Sequence, residues 1–451
     1  MANSYLNRTT GTSTLNTKCT FSGWYKRGAL TGAHQHIFSI GTSSGAQLRA
    51  RFRTTEGFQV YGNITGQGEI QFVTNRLFRD TSAWYHILIS IDCTQSAANR
   101  VKIYVNGIEE TSFDGTTQAE ITSMDVLDSN TFQIGRRAET GGDYFDGYMS
   151  HVAFVDGQAL APTVFGQTDS SSGIWKFKSP SGVTWGNNGF HLKFENSGNL
   201  GLDSSGNSNT FTVNGNGRQA LDTPSNVHAT LNPLIKTPSG LSYSNGNNTL
   251  TTTNSQWEGS ATTIAPTKGK WYFEAKYNTG TGIKLDIARL PSDMRFMDNS
   301  NNSYLGYDTN GYGYQLNNSG TDYYTQAGTT STWNSSINGN STKIYMVAVD
   351  LDNGKMWFGA NGAWANTSGT ANPATGADPR LSFSAKLNGD PWLFGLSCEG
   401  SGSSHSVNFG NGLFGTTAIS SAGSNGNGSL FEYDVPSGYY ALNTKNINTY
   451  G

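Results

Sequence analysis

A chain of 451 residues is too long for one ordinary domain, and at roughly 150–220 residues per unit two or three units are expected. Charged residues make up 14% and aromatic residues 12%, with 56 glycines, a balance that suits extended β architecture and disfavours helical bundles. The formal net charge of −3 leaves no basic footprint for nucleic acid or an anionic membrane, and no apolar run approaches the roughly eighteen residues of a membrane span.

The opening stretch MANSYLNRTTGTSTLNT has no apolar core, so neither a secretory signal nor an anchor is expected. FSGWYKR (21–27) begins the strand pattern, and His34 and His36 follow at a spacing that shares one strand face. Two histidines without a third ligand nearby are a weak metal nucleus. In WYHILISIDCTQSAANRVKIYVNGI (84–108), Ile87, Ile89 and Ile91 alternate with Leu88, Ser90 and Asp92, and Val101, Ile103 and Val105 repeat the period up to an Asn106-Gly107 turn. Glu109 and Glu110 are adjacent, hence on opposite strand faces, and are expected to be solvated. FDGYMSHVAFVDGQAL (145–160) supplies a further strand, with Asp143 and Tyr144 just before it as a candidate polar and aromatic patch. Cys19, Cys93 and Cys398 are an odd set without paired spacing and read as small buried hydrophobes, not a disulfide framework.

The order of these pieces resembles the laminin-G-like, concanavalin-A-like lectin fold over about residues 1–168. That resemblance implies rim loops in which carboxylates such as Asp143 and Asp146 hold calcium with carbonyl oxygens, although a hydrated turn is the favoured reading of these two residues. FHLKFENSGNLGLDSSGNSNTFTVNG (190–215) looks like the opening hairpin of many laminin-G-like domains displaced to the end of the module. Residues 169–221 are therefore expected to return a strand to an edge of the first sandwich. Asp203 and Asn207 have calcium-ligand chemistry there, and also the chemistry of a turn that satisfies its own backbone. No cofactor is expected, calcium being the one ion these loops are suited to hold.

DTPSNVHATLNPLIKTPSG, inside the segment 222–240, reads as a linker because of its prolines and polar neighbours. Beyond it, over 241–451, GKWYFEAKY, IKLDIARLP, YLGYDTNGYGYQL, IYMVAVDLDNGKMWFGANGAW and PWLFGLSCEGSGSSHSVNFG follow in the order of the SPRY domain, which the second module resembles. The fold class is thus all-β: two antiparallel β-sandwiches, one laminin-G/concanavalin-A-like and one SPRY-like, with very little helix.

Enzymatic chemistry is not expected. Concanavalin-A-like glycan hydrolases hold two carboxylates close together on one face, whereas Asp350 and Asp352 flank a hairpin turn, where Asp is first a turn former. Glycan recognition needs exposed rings beside amides and carboxylates. The stretch 317–340, read as a loop, offers Asp322, Tyr323, Tyr324 and Trp333; Trp364 with Asn366 closes the following hairpin, and Asp143 with Tyr144 forms the second patch. Trp84, Trp271 and Trp357 fall within strand alternation and read as core.

From MANSYLNRT through LGLDSSGNSN and DTPSNVHATLNPL to YYALNTKNINTYG, the chain resembles virion structural proteins of marine tailed phages, particularly those of cyanobacteria. The resemblance implies a tail fibre, tail spike or head fibre assembled in the host cytoplasm and displaying its sandwiches for host-surface recognition. The alternative is a structural or decoration protein. Its partners would be other virion proteins and a host-surface glycan or protein, in a homo-oligomer, a trimer being favoured. The aromatic-rich stretch makes the second module the expected host-facing end.

Overall fold

The computed structural model describes residues 3–28, 30–238, 240–290, 297, 304–317, 321–333, 337, 343–365 and 369–451. The chain is all-β and divides into two compact units, residues 1–219 and 220–451.

The first unit is a sandwich of two antiparallel sheets. Among the described residues, one sheet has eight strands in the order Phe113–Gln118, Gly68–Leu77, Gly57–Ile64, Ala46–Phe52, Gln35–Ser43, Thr131–Ile134, Tyr5–Thr9, Thr212–Asn214. The other has six, in the order Phe190–Leu192, Gly147–Asp156, Lys18–Arg27, Trp84–Asp92, Val101–Val105, Ile108–Glu109. Strict alternation builds the core between them: Phe21, Ile89, Ile91 and Ile103 from one sheet meet Phe38, Ala50, Val60, Phe72 and Phe132 from the other. The Asn106-Gly107 turn has both φ values positive, 50° and 80°, the backbone of a two-residue hairpin that asparagine and glycine accept with least strain.

Residues 169–221 add an edge to both sheets, where the sequence suggested one returning strand. Phe190–Leu192 pairs with Gly147–Asp156, and Thr212–Asn214 pairs with Tyr5–Thr9. Phe190, Leu192 and Phe211 enter the core. Earlier in the same segment, Trp175–Phe177 pairs with Gly166–Thr168 and lies over the outer face of the six-stranded sheet, where the Trp175 indole N–H donates to His86 Nδ1 at 3.1 Å. Leu88, Ala153, Val155 and Phe165 form a second apolar cluster on that face. The six-stranded sheet is therefore covered on both sides, and the eight-stranded sheet turns a polar face outward.

In the second unit a seven-stranded sheet runs Leu231–Lys236, Glu258–Thr262, Trp392–Glu399, Gly282–Arg289, Gly311–Asn317, Asp322–Gln326, Thr329–Trp333 among the described residues. Facing it, the other sheet runs Leu241–Ser244, Thr249–Thr252, Ser404–Asn408, Lys270–Thr279, Ile344–Asp350, Lys355–Ala360, Ala363–Ala365, with Tyr440–Ala441 added in parallel to Lys270–Thr279. Rings bridge the two: Phe273 stacks on Phe394 at 5.8 Å and Phe358 lies 5.0 Å from Tyr314. Phe431, Val435, Tyr439 and Ala441 pack over the outer face of the second sheet against Tyr272, Met346 and Trp357.

The linker expected at 222–240 is corrected. Its second half is the edge strand Leu231–Lys236, and Ala229 N–H donates to Leu442 O at 2.9 Å, so the segment is structural in the second unit. Prolines at an edge strand misled the reading, because an edge tolerates a missing N–H. Trp84, Trp271 and Trp357 are buried, as are the three free cysteines. Glu110, expected in solvent, is buried and accepts from Arg76 Nε at 2.6 Å.

Candidate functional site

The outward positions of the eight-stranded sheet come from three short alternations. In AQLRARF (46–52) Leu48, Ala50 and Phe52 point inward, which sends Gln47, Arg49 and Arg51 outward. In GFQVYGNI (57–64) the same rule sends out Gln59, Tyr61 and Asn63, and in TFQI (131–134) it sends out Gln133. A bulge between His36 and Phe38 admits both Ile37 and Phe38 to the core and leaves His36 opposite Arg51. Register then aligns Thr212, Asn7, Gln133, Ser39, Arg49, Tyr61, Gln71 and Thr117 as one polar row across all eight strands.

Hydrogen bonds lock the row. Arg51 Nε donates to Gln59 Oε1 at 2.7 Å, and Gln59 Nε2 donates to Gln71 Oε1 at 2.8 Å. The Arg49 guanidinium bonds Gln47 and lies 4.5 Å from the Tyr61 ring centroid. The turn after Ile134 closes one end: Arg136 Nε donates to Gln133 Oε1 at 2.9 Å and the Arg136 guanidinium sits 3.9 Å from the Tyr5 ring. Asp143 and Tyr144 belong to this rim. Asp143 lies 3.9 Å from both Arg137 and His36, and the Tyr144 ring lies 6.2 Å from that of Tyr5.

Positive charge predominates on this face, five arginines standing against the carboxylates of Glu69, Glu139 and Asp143. Burial, reinforced by Arg51, Arg49 and Arg137, lowers His36 to about 2, so it is neutral at physiological pH. Burial and the neighbouring Arg49 bring Arg51 down to about 10. The sequence signal for this face was the repeated cation at alternate positions, Arg49, Arg51 and Arg53, beside an apolar partner set.

The second-unit candidates separate. The stretch 317–340 is no free loop in its described part, because Asp322–Gln326 and Thr329–Trp333 form a hairpin at the sheet edge. Trp333 is 3% exposed, packed against Tyr314 at 5.1 Å, and Asp322 is 1% exposed, so neither is available to a ligand. Burial follows from Phe358 and Arg380, which lie far along the chain from the hairpin. Tyr323 and Tyr324 are half-buried, and Arg380 stacks 3.6 Å from the Tyr324 ring centroid. Asn366 lies outside the described residues.

Trp364 is half-buried and lines a cleft of about 480 Å³ with Tyr433, Glu432, Asp434, Asn425 and Asn372. One wall is fixed from behind by the buried Glu274, whose carboxylate accepts the Glu432 and Tyr433 N–H groups and the Tyr272 hydroxyl, each at 2.9 Å. Burial raises Glu274 to about 7, against those hydrogen bonds. Asp434 accepts from Ser424 N–H at 2.6 Å, which lowers its pKa, and Glu432 accepts from Ser420 N–H at 2.6 Å.

The calcium candidates behave as turns. Asp203 accepts from the backbone of His191, Ser205 and Asn209 at 2.8–2.9 Å. Asn207 donates its amide to Gly186 O and Gly189 O. Asp350, weighed above as half of a hydrolytic carboxylate pair, is likewise a turn former and accepts from the N–H groups of Asp352 and Asn353. Among the described residues no three His, Cys, Asp or Glu side chains converge as a metal site would require.

No curated protein matches the sequence. Among solved structures, the TRIM65 PSpry domain is similar at 12% identity over 40% of this chain and 88% of that one, with a TM-score of 0.31. The SPRY domain of human HERC1 is similar at 12% identity over 39% and 96%, with a TM-score of 0.28. A Bacteroides ovatus protein named for carbohydrate binding is similar at 17% identity over 48% and 58%, with a TM-score of 0.30. Residues 2–164, which form most of the first sandwich, match the family described as the concanavalin A-like lectin/glucanases superfamily.

Proposed function

We propose that this chain is an appendage protein of a tailed-phage virion, a tail fibre, tail spike or head fibre, that recognises a host-surface glycan without cleaving it. The observation that carries the recognition step is the polar row across the eight-stranded sheet, with Tyr61 half-exposed beside Arg49 and flanked by the amides of Gln59 and Gln71. Sugars present apolar C–H faces and dense hydroxyls, which a ring among amides and guanidinium groups complements. The concanavalin-A-like match of residues 2–164 supports a lectin role for the same sandwich. The likeness of the chain's successive motifs to marine phage virion proteins supports the setting, and with it assembly in the host cytoplasm as a homo-oligomer, a trimer being favoured.

The first unit replaces the second as the preferred host-facing module, because Trp333 and Asp322 are buried. A structural reading, with other virion proteins as partners, is favoured by one feature: Ile108 and Ile174, 67% and 65% exposed, flank the contact between Gly107 and Trp175. A glycan array probed with the full chain separates the readings. Binding to glycans of a susceptible host, lost in Tyr61→Ala with the fold intact, supports recognition; a blank array together with co-purification of a virion protein supports the structural role.

A further inference from the structure

Five arginines, at positions 49, 51, 53, 136 and 137, cluster on or beside the outer face of the eight-stranded sheet. The carboxylates among them are few. Glu139 is shared between Arg137 and Arg49, the latter at 3.4 Å, and Asp143 lies 3.9 Å from Arg137. Arg51 bonds only the neutral amide of Gln59 and has no carboxylate at ion-pair distance among the described residues. His36, fully buried opposite Arg51 in the register, has the Asp143 carboxylate 3.9 Å from its Nδ1.

Desolvating guanidinium groups side by side is unfavourable unless something compensates them, since burial removes water and each neighbour adds repulsion. A sheet face built only for stability would place carboxylates opposite these strands, as Glu110 does for Arg76 elsewhere in this unit. Here the cross-strand neighbours of Arg49 and Arg51 are Ser39, Tyr61, His36 and Gln59. The face thus presents more guanidinium donors than the carboxylates of Glu139 and Asp143 can satisfy, which is the chemistry of an anion site.

We propose that Arg49, Arg51 and Arg137 bind the anionic group, carboxylate or sulfate, of an acidic glycan. The inference rests on the glycan reading of this same face and names its ligand class. Planar guanidinium groups match either oxyanion with paired N–H donors, and the partial burial of Arg49 strengthens such a bond relative to an exposed one. Gln59 and Gln71 supply donors and acceptors for adjacent hydroxyls, and Tyr61 supplies a ring for the sugar face.

The test is titration calorimetry of the full chain with three probes: an oligogalacturonate, a sulfated dextran oligosaccharide and a neutral dextran oligosaccharide. Binding to the oligogalacturonate, the sulfated probe or both, weakening as salt rises from 50 to 500 mM, is expected, together with a loss on the order of tenfold or more in Arg51→Gln. Arg51→Lys keeps the charge and loses the paired donors, so it should fall between wild type and Arg51→Gln even if the glutamine variant folds poorly. Preference between the two charged probes assigns carboxylate or sulfate. Binding of all three probes alike, insensitive to salt and to both variants, overturns the acidic ligand and leaves the glycan reading standing. Binding of none overturns both.

Discussion

The buried carboxylate of Glu274 accepts the backbone N–H of Tyr433 at 2.9 Å, so the aromatic wall of the second-unit cleft is positioned by a residue that no ligand in the cleft would touch. That relationship gives the cleft a pH dependence. The folded chain retains the Glu274 proton up to about 7, while the unfolded chain releases it near the ordinary 4.5, so the folded state binds more protons between these values. Stability from this group is fully present below about 4.5 and is lost as pH rises through 7, by roughly 3 kcal/mol at most. Gln at 274 does not titrate. The melting temperature of wild type minus that of Glu274→Gln should therefore shrink between pH 5 and pH 8; a difference that widens instead would remove Glu274 from this role.

Acid should act differently on the two units. Burial lowers His36 to about 2, His86 to about 3, and His151 and His191 to about 4, all in the first unit. Unfolded histidines take up protons near 6.5, so each of these costs stability as pH falls below that value. In the second unit His405, at about 4, acts the same way, but Glu274 and Asp286 are raised by burial and act oppositely. Hydrogen exchange read peptide by peptide should show protection falling between pH 7 and 5 mainly over residues 3–219. Equal loss in both units would contradict this assignment.

The segment 190–215 is predicted to be indispensable to the first sandwich. Phe190 is fully buried, 5.2 Å from Phe132 and 4.7 Å from Phe211, so Phe190→Ala should cost about 3–5 kcal/mol. Truncation after residue 168 removes both edge strands and should leave an insoluble fragment. A soluble, cooperatively melting fragment 1–168 would show that these strands decorate the sandwich without completing it.

Much of this architecture was legible because it is written locally. Alternation in IYMVAVD and the Asn361-Gly362 turn need only neighbours in sequence to be read, and Asn361 has the positive φ, 49°, which that turn demands. Trp333 was misread for the opposite reason. Its surroundings in sequence are Asn, Ser, Thr and Gly, while the groups that bury it, Phe358 and Arg380, come from other strands and turns. The arginine face lies between these cases. Alternation in QLRARF placed Arg49 and Arg51 on one side of a strand, but only the register of eight strands shows Arg49 in a common row with Gln133, Tyr61 and Gln71, and Arg51 beside that row between His36 and Gln59.

The aromatic residues of the Asp322–Trp333 hairpin should divide between folding and surface. Trp333→Ala empties a site against Tyr314 and Phe358 and should destabilise the second unit by about 3–5 kcal/mol. Tyr323→Ala, at a half-buried position between Gln315 and Thr332, should cost under about 1 kcal/mol. Denaturant titration of both variants checks the contrast. Similar costs at the two positions would mean that the hairpin packs as a unit.

The cleft beside Trp364 contains two carboxylates, Glu432 and Asp434, and so raises the question of glycoside hydrolysis again at a place the sequence did not suggest. Such chemistry needs one carboxyl held protonated as the acid and a second ionised partner across the bond to be broken. Asp434 has the opposite bias, since Ser424 lowers its pKa. Glu432 is bound through both oxygens by Ser420. The carboxyl that burial does raise, Glu274, lies behind the wall with no exposed surface. Incubation with polysaccharide from a susceptible host should therefore release no reducing ends, and Glu432→Gln and Asp434→Asn should leave that result unchanged. Release by wild type that disappears in either variant would make this cleft a hydrolase site, with the first-unit sheet face as its targeting surface.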